Sequence, residues 1–134
     1  MILAQEFYLD DFYWNVKVFY VIDSGASEVV LDELEEIGCS GEDLESADYV
    51  LHSENMGLTY SNIKDYTSII VISKTTCPAE FQSTYDHEKL HLAMHIAREF
   101  HIDPFSEDLA YLVGKIGFET FPVAKKLMCE HCRE

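Results

Sequence analysis

What these 134 residues have least of is basic side chains: nine Lys and Arg stand against 25 Asp and Glu, a formal net charge of −16. That shortage excludes an electrostatic grip on nucleic acid, whose phosphates such a chain repels. Any apolar run near the roughly 20 residues that span a bilayer is missing too, so no membrane segment is expected. The opening MILAQEFYLDD has no basic region and reaches Asp10 and Asp11 before a long apolar stretch forms. It does not read as a signal peptide, and a soluble, cytoplasmic protein is expected. Without an oxidising compartment, Cys39, Cys77, Cys129 and Cys132 read as thiols and not as a disulfide framework. There is no glycine-rich phosphate loop and no Gly-x-Ser-x-Gly elbow, which removes the common nucleotide-binding and serine-hydrolase motifs. Internal repeats and linkers are also lacking.

What is present suffices for one domain spanning residues 1–134: 48% apolar residues, 13% of the chain aromatic. Residues 12–22, FYWNVKVFYVI, alternate as a strand does, with Trp14, Val16, Val18, Tyr20 and Ile22 on one face. Val30, Leu34 and Ile37 then recur at helical spacing, and Gly38 supplies a stop. Ser40 and Asp43 resemble a capping box for a second short helix with Leu44, Ala47 and Leu51 inward. These two helices hold nine of the 25 acidic residues, a cluster that reads first as a solubilising surface. A preference for basic partners, or mimicry of nucleic acid, are the alternatives; mimicry ranks last because the carboxylates are not spread along one face.

Ser68-Ile-Ile-Val-Ile-Ser73 reads as a strand covered on both sides. Thr75-Thr-Cys-Pro78 ends it and starts a helix expected to reach about His101, with Pro78 in the first turn. A last helix follows from about Ser106, with a possible kink at Pro122. The expected fold is α+β: a small sheet with short N-terminal helices, then a long helix and a packed C-terminal one.

The long helix contains His87-Glu88-Lys89-Leu90-His91, an H-E-x-x-H motif. Residues four apart share a face about 6 Å apart along the axis, so both imidazoles can reach one zinc ion. Glu88, turned about 100° from His87, is placed to take a proton from water and return it to a leaving amine. Phe81, Tyr85, Leu92, Ile96 and Phe100 form a core stripe beside the histidines. His95 lies too far along the axis to share the ion and reads as substrate-facing or as plain surface. A metzincin needs glycine at 94 and histidine at 97, where Met94 and Ala97 stand. His101 serves only if the helix breaks early. Glu107 is the expected third ligand, with Asp103 and Asp108 as fallbacks. Glu107, Ala110, Tyr111 and Gly114 share one face of the last helix, and small Ala110 and Gly114 would let it approach the motif. Tyr111 would then hydrogen-bond a ligand or steady an oxyanion. Cys129-Glu-His-Cys132 has half-site spacing, but its two thiols read as free.

HExxH followed by a glutamate from the next helix resembles the gluzincin-type metallopeptidases. With E-x-x-A-Y-x-x-G as the second element, it is also similar to small zincin-like proteins encoded among phage and prophage genes, over roughly residues 66–118. The resemblance implies zinc held by His87, His91 and Glu107, with Glu88 as base. It also implies a strand edge, assigned to residues 68–73, that receives an extended peptide. The expected function is therefore hydrolysis of a peptide or protein amide. The alternative is a non-catalytic, metal-stabilised interaction protein of a phage or prophage assembly, which would be virion-associated.

Overall fold

The computed structural model describes residues 2–21, 25 and 27–129. Among them the chain forms β1 (Ile2–Leu9), β2 (Trp14–Val21), α1 (Ser27–Glu36), α2 (Gly41–Leu51), β3 (Gly57–Asn62), β4 (Thr67–Ile72), α3 (Pro78–Glu99) and α4 (Glu107–Ala124). This is the expected α+β class. The four strands make one sheet in the order β1-β2-β4-β3. β1 and β2 are antiparallel, β2 and β4 parallel, β4 and β3 antiparallel.

Each strand's alternation decides what covers it. Trp14, Val16, Val18 and Tyr20 of β2 and Ile70 and Ile72 of β4 face one way and pack with Phe81, Leu92 and Ile96 of α3 and Leu112 and Ile116 of α4. Phe19, Val21, Ile69 and Val71 face the other way, against Val30 and Leu34 of α1 and Ala47, Val50 and Leu51 of α2. The β-branched run of β4 is thus covered on both sides, as its composition requires. Helices on both faces leave the sheet's rims as the places where backbone can meet solvent.

The strand expected at 12–22 begins at Trp14 because Asp10–Phe12 form a 3-10 turn and Tyr13 takes a left-handed φ of 54° to close the hairpin. Ile22 and Ser24 lie outside the described residues. Gly38 does end α1, with φ 99° and its N–H on the Glu35 carbonyl. Ser40 precedes α2 without making the side-chain cap that the capping box promised. α4 continues through Pro122 for two residues and ends at Ala124. Among the described residues no helix is long and apolar enough to cross a membrane.

A candidate metal centre at the sheet edge

α3 lies along β3 and runs in the same direction, so successive turns of the helix meet successive residues of the strand. Glu88 meets Gly57 and Thr59, and His95 meets Ser61. Because β3 is the outermost strand on this side, its second row of peptide groups has no strand partner in the sheet. The role of receiving a peptide edge was expected at residues 68–73. The structure overturns that: β4 is paired on both sides, with β2 and β3, and its ladder has no vacancy. The open edge belongs to β3.

His87 and His91 project from α3 beside this edge, His87 with 67% of its side chain exposed. Their Nε2 atoms are 3.1 Å apart. Two nitrogens bound to one tetrahedral zinc at 2.0–2.1 Å would stand about 3.3 Å apart, so the two imidazoles fit the ion as a pair. Glu88, between them in sequence, is turned inward and almost fully buried. A buried carboxylate is costly unless it is hydrogen-bonded. Thr59 Oγ1 donates to Glu88 Oε1 at 2.8 Å, which leaves Oε2 on the histidine side, 4.0 Å from His87 Nε2. Gly57 makes this burial possible, since a Cβ there would stand 2.6 Å from Glu88 Cγ and 2.9 Å from Oε2. A cavity of about 280 Å³ opens at this point, walled by Gly57, Ser83, Thr84, His87 and Glu88.

One turn on, a chain of hydrogen bonds crosses the sheet. Trp14 Nε1 donates to Ser68 Oγ at 2.8 Å, Ser68 meets Ser61 at 2.6 Å, and Ser61 meets His95 Nδ1 at 2.7 Å. An indole can only donate, so Ser68 Oγ accepts from Trp14, while the two hydroxyls and the imidazole beyond it can each give or take a proton. Burial, then the neighbouring His91 and Arg98, hold the pKa of His95 below its usual value. His95 lines a cavity of about 300 Å³ together with Ile63 and Arg98.

The second helix does not close the shell. α4 packs on α3 through Tyr85, whose hydroxyl bonds Thr120, and through Lys89, 3.5 Å from where a Gly117 side chain would begin. Those positions lie roughly 160° around the α3 axis from the His87–His91 row. Glu107 sits exposed in the first turn of α4, and Tyr111 is 74% exposed beside Phe12, Phe100 and Lys115. Gly114, expected to bring the helices together, faces outward, and a Cβ there would meet nothing within 4 Å. Gly117 makes the close approach instead. Among the described residues no three His, Cys, Asp or Glu side chains gather as ligands of one ion. The structure thus joins His87, His91 and Glu88, and leaves Glu107 and Tyr111 on another face.

Gly57, Thr59 and Ser61 escaped sequence reasoning. GLTYSN carries a strand-like pattern, but nothing local says that it crosses a glutamate about 30 positions away. Cys39 is a buried thiol and Cys77 a half-buried one, while Cys132 and His131 lie outside the described residues. Compared with known proteins, the chain matches no family model, and no curated protein or solved structure proves similar to it.

Proposed function

We propose that the chain is a zinc-dependent hydrolase of peptide bonds, with His87 and His91 holding the metal and Glu88 as the base. The observation that carries this reading is the pair of Nε2 atoms 3.1 Å apart with a buried carboxylate oxygen 4.0 Å from one of them. Bound zinc would supply Lewis acidity toward the scissile carbonyl and a nucleophile near neutral pH.

The chain's own residues do the rest. Thr59 fixes one oxygen of Glu88, so the other is preoriented to accept a proton from water and deliver it to the departing amine. The free rim of β3 can hold an extended peptide as one more antiparallel strand, which sets its backbone beside the cavity. A peptide so placed would run from Ser61 toward Gly57, and its N-terminal part would pass His95 and the guanidinium of Arg98.

One observation favours a second reading. α4, which carries Glu107, packs on α3 away from the imidazoles, so two protein ligands are assembled where a catalytic zinc site uses three. A partner protein donating the remaining ligands would make the ion a bridge in a phage or prophage assembly, with no turnover. Glu88→Gln separates the two readings. The hydrolase reading requires that this variant keep zinc and lose cleavage of a peptide library by at least 100-fold, as for loss of a general base. Unchanged cleavage refutes the assigned base, and zinc without any cleavage by the parent protein favours the bridge.

A further inference from the structure

α4 is apolar on both sides. Its inner face, Leu109, Leu112, Ile116 and Thr120, is buried against α3 and the sheet. The outer face presents Tyr111, Phe118 and Phe121, which are 74%, 74% and 55% exposed. Their spacing, with Gly114 between, places all of them in one stripe along the helix. At roughly 200 Å² per aromatic residue, the three expose about 400 Å² of ring surface. Isolated exposed rings are ordinary, whereas a contiguous stripe of about 400 Å² is the size of the largest apolar patch on a typical monomer, which is often functional.

The charges around the stripe indicate what covers it. From Glu107 to Lys126, Glu107, Asp108 and Glu119 are balanced by Lys115, Lys125 and Lys126, so the rest of the chain carries the entire net charge of −16. Two copies approaching by α1 or α2 would meet acid with acid, whereas the α4 segment is neutral, with Asp10 and Asp11 beside Lys115 at its flank. It is also polarised, acidic in the first turn of α4 and basic just past its last. An antiparallel copy reverses that order and puts opposite charges together.

We infer that α4 packs against α4 of a second copy of this chain, antiparallel about a twofold axis at the level of Ile116. In that register Glu107 faces Lys125, Tyr111 faces Phe121, and Gly114 faces Phe118, each pair occurring twice by symmetry. The open space beside Gly114 receives the Phe118 ring. Lys115 and Lys125 already lie over the Phe118 and Phe121 rings, 5.5 and 5.7 Å from their centroids, and stay at the rim of the contact. The rings supply half of the about 800 Å² per partner of a standard interface, and Glu107, Ala110, Gly114 and Lys125 adjoin them. α4 lies on the β1 side of the molecule, so the edge of β3 and the two imidazoles stay open. The inference holds whether or not the metal reading does.

Sedimentation equilibrium on the purified full chain tests it. At concentrations on the order of 100 μM, where a micromolar dimer is filled, the mass should be twice the 15.4 kDa of one chain. Phe118→Glu, at an exposed position, should give a monomer with an unchanged circular dichroism spectrum. Glu107→Lys and Lys125→Glu should each weaken the dimer at least tenfold, and the double variant should restore it. A monomeric parent protein overturns the inference and gives the stripe to a different partner. A dimer that survives Phe118→Glu places the interface elsewhere, and failure of the double variant to recover overturns the antiparallel register.

Discussion

Gly57 and Glu88 occupy space that only one of them could fill if position 57 carried a side chain: a Cβ there would stand 2.6 Å from Glu88 Cγ. The strand crosses the helix so closely that a glutamate can be buried beneath it and still present Oε2 toward His87. Gly57→Ala must therefore push the carboxylate aside or lift the edge strand. Overpacking of this kind costs about 1–3 kcal/mol. The variant should unfold at lower denaturant, keep its zinc, and lose most of its hydrolytic activity. Unchanged activity would show that Glu88 needs no fixed position.

Thr59 holds the same carboxylate from the other side through a 2.8 Å hydrogen bond. Thr59→Val keeps the shape and removes the donor. Leaving a buried carboxylate short of a partner costs about 1–3 kcal/mol, so stability should fall by that much and kcat with it. Thr59→Ser should recover both. Equal behaviour of Val and Ser in denaturation and rate assays would mean that the hydroxyl positions nothing.

His95 gives the metal-free protein a pH dependence. Burial first, then His91 and Arg98, lower its pKa in the folded state, whereas the unfolded chain titrates near 6.5. The unfolded state then binds more protons than the folded one below about pH 6.5. The stabilisation is complete above that pH and is lost as the pH falls through the lowered folded value. Urea denaturation of apo protein from about pH 7 to 5 should show a steeper loss of stability than His95→Gln shows. Parallel curves would contradict the assignment.

Glu107 and Tyr111 share a helix that meets α3 on the side away from the imidazoles. Glu107→Gln and Tyr111→Phe should leave zinc content within about twofold of the parent, since loss of a true ligand costs tenfold or more. A large drop in Glu107→Gln, read by elemental analysis, would return that glutamate to the metal.

Much of the fold was legible because its signals are local. The alternation of Trp14, Val16, Val18 and Tyr20, the β-branched run of β4, Pro78 at the start of α3 and Gly38 after α1 each declare themselves within a few residues. β1 did not, because Gln5 interrupts the apolar face formed by Leu3, Phe7 and Leu9. The structure explains the interruption: Gln5 Nε2 donates to the Glu119 carbonyl at 2.6 Å and its Oε1 accepts from Tyr20 at 3.3 Å.

The site was half legible. An i, i+4 pair of histidines with a glutamate beside the first is a local pattern, and the helix delivers those residues together. Which strand forms the edge is a pairing property, so β4 was named where β3 stands. The face of α4 was misread for a different reason. With aliphatic residues on one side and aromatics on the other, the helix has two candidate inner faces. Ala110 and Gly114 suggested close packing, yet Leu109, Leu112 and Ile116 make the better core and turn the small residues outward.

The central claim is that two imidazoles of α3 hold one zinc ion. Elemental analysis of purified protein beside His87→Ala and His91→Ala, each checked for folding by circular dichroism, tests it most directly. About one zinc per chain in the parent, reduced at least tenfold in either variant, is the predicted result. Folded variants that retain the parent's zinc, or a folded parent that takes up none from micromolar zinc, would contradict it.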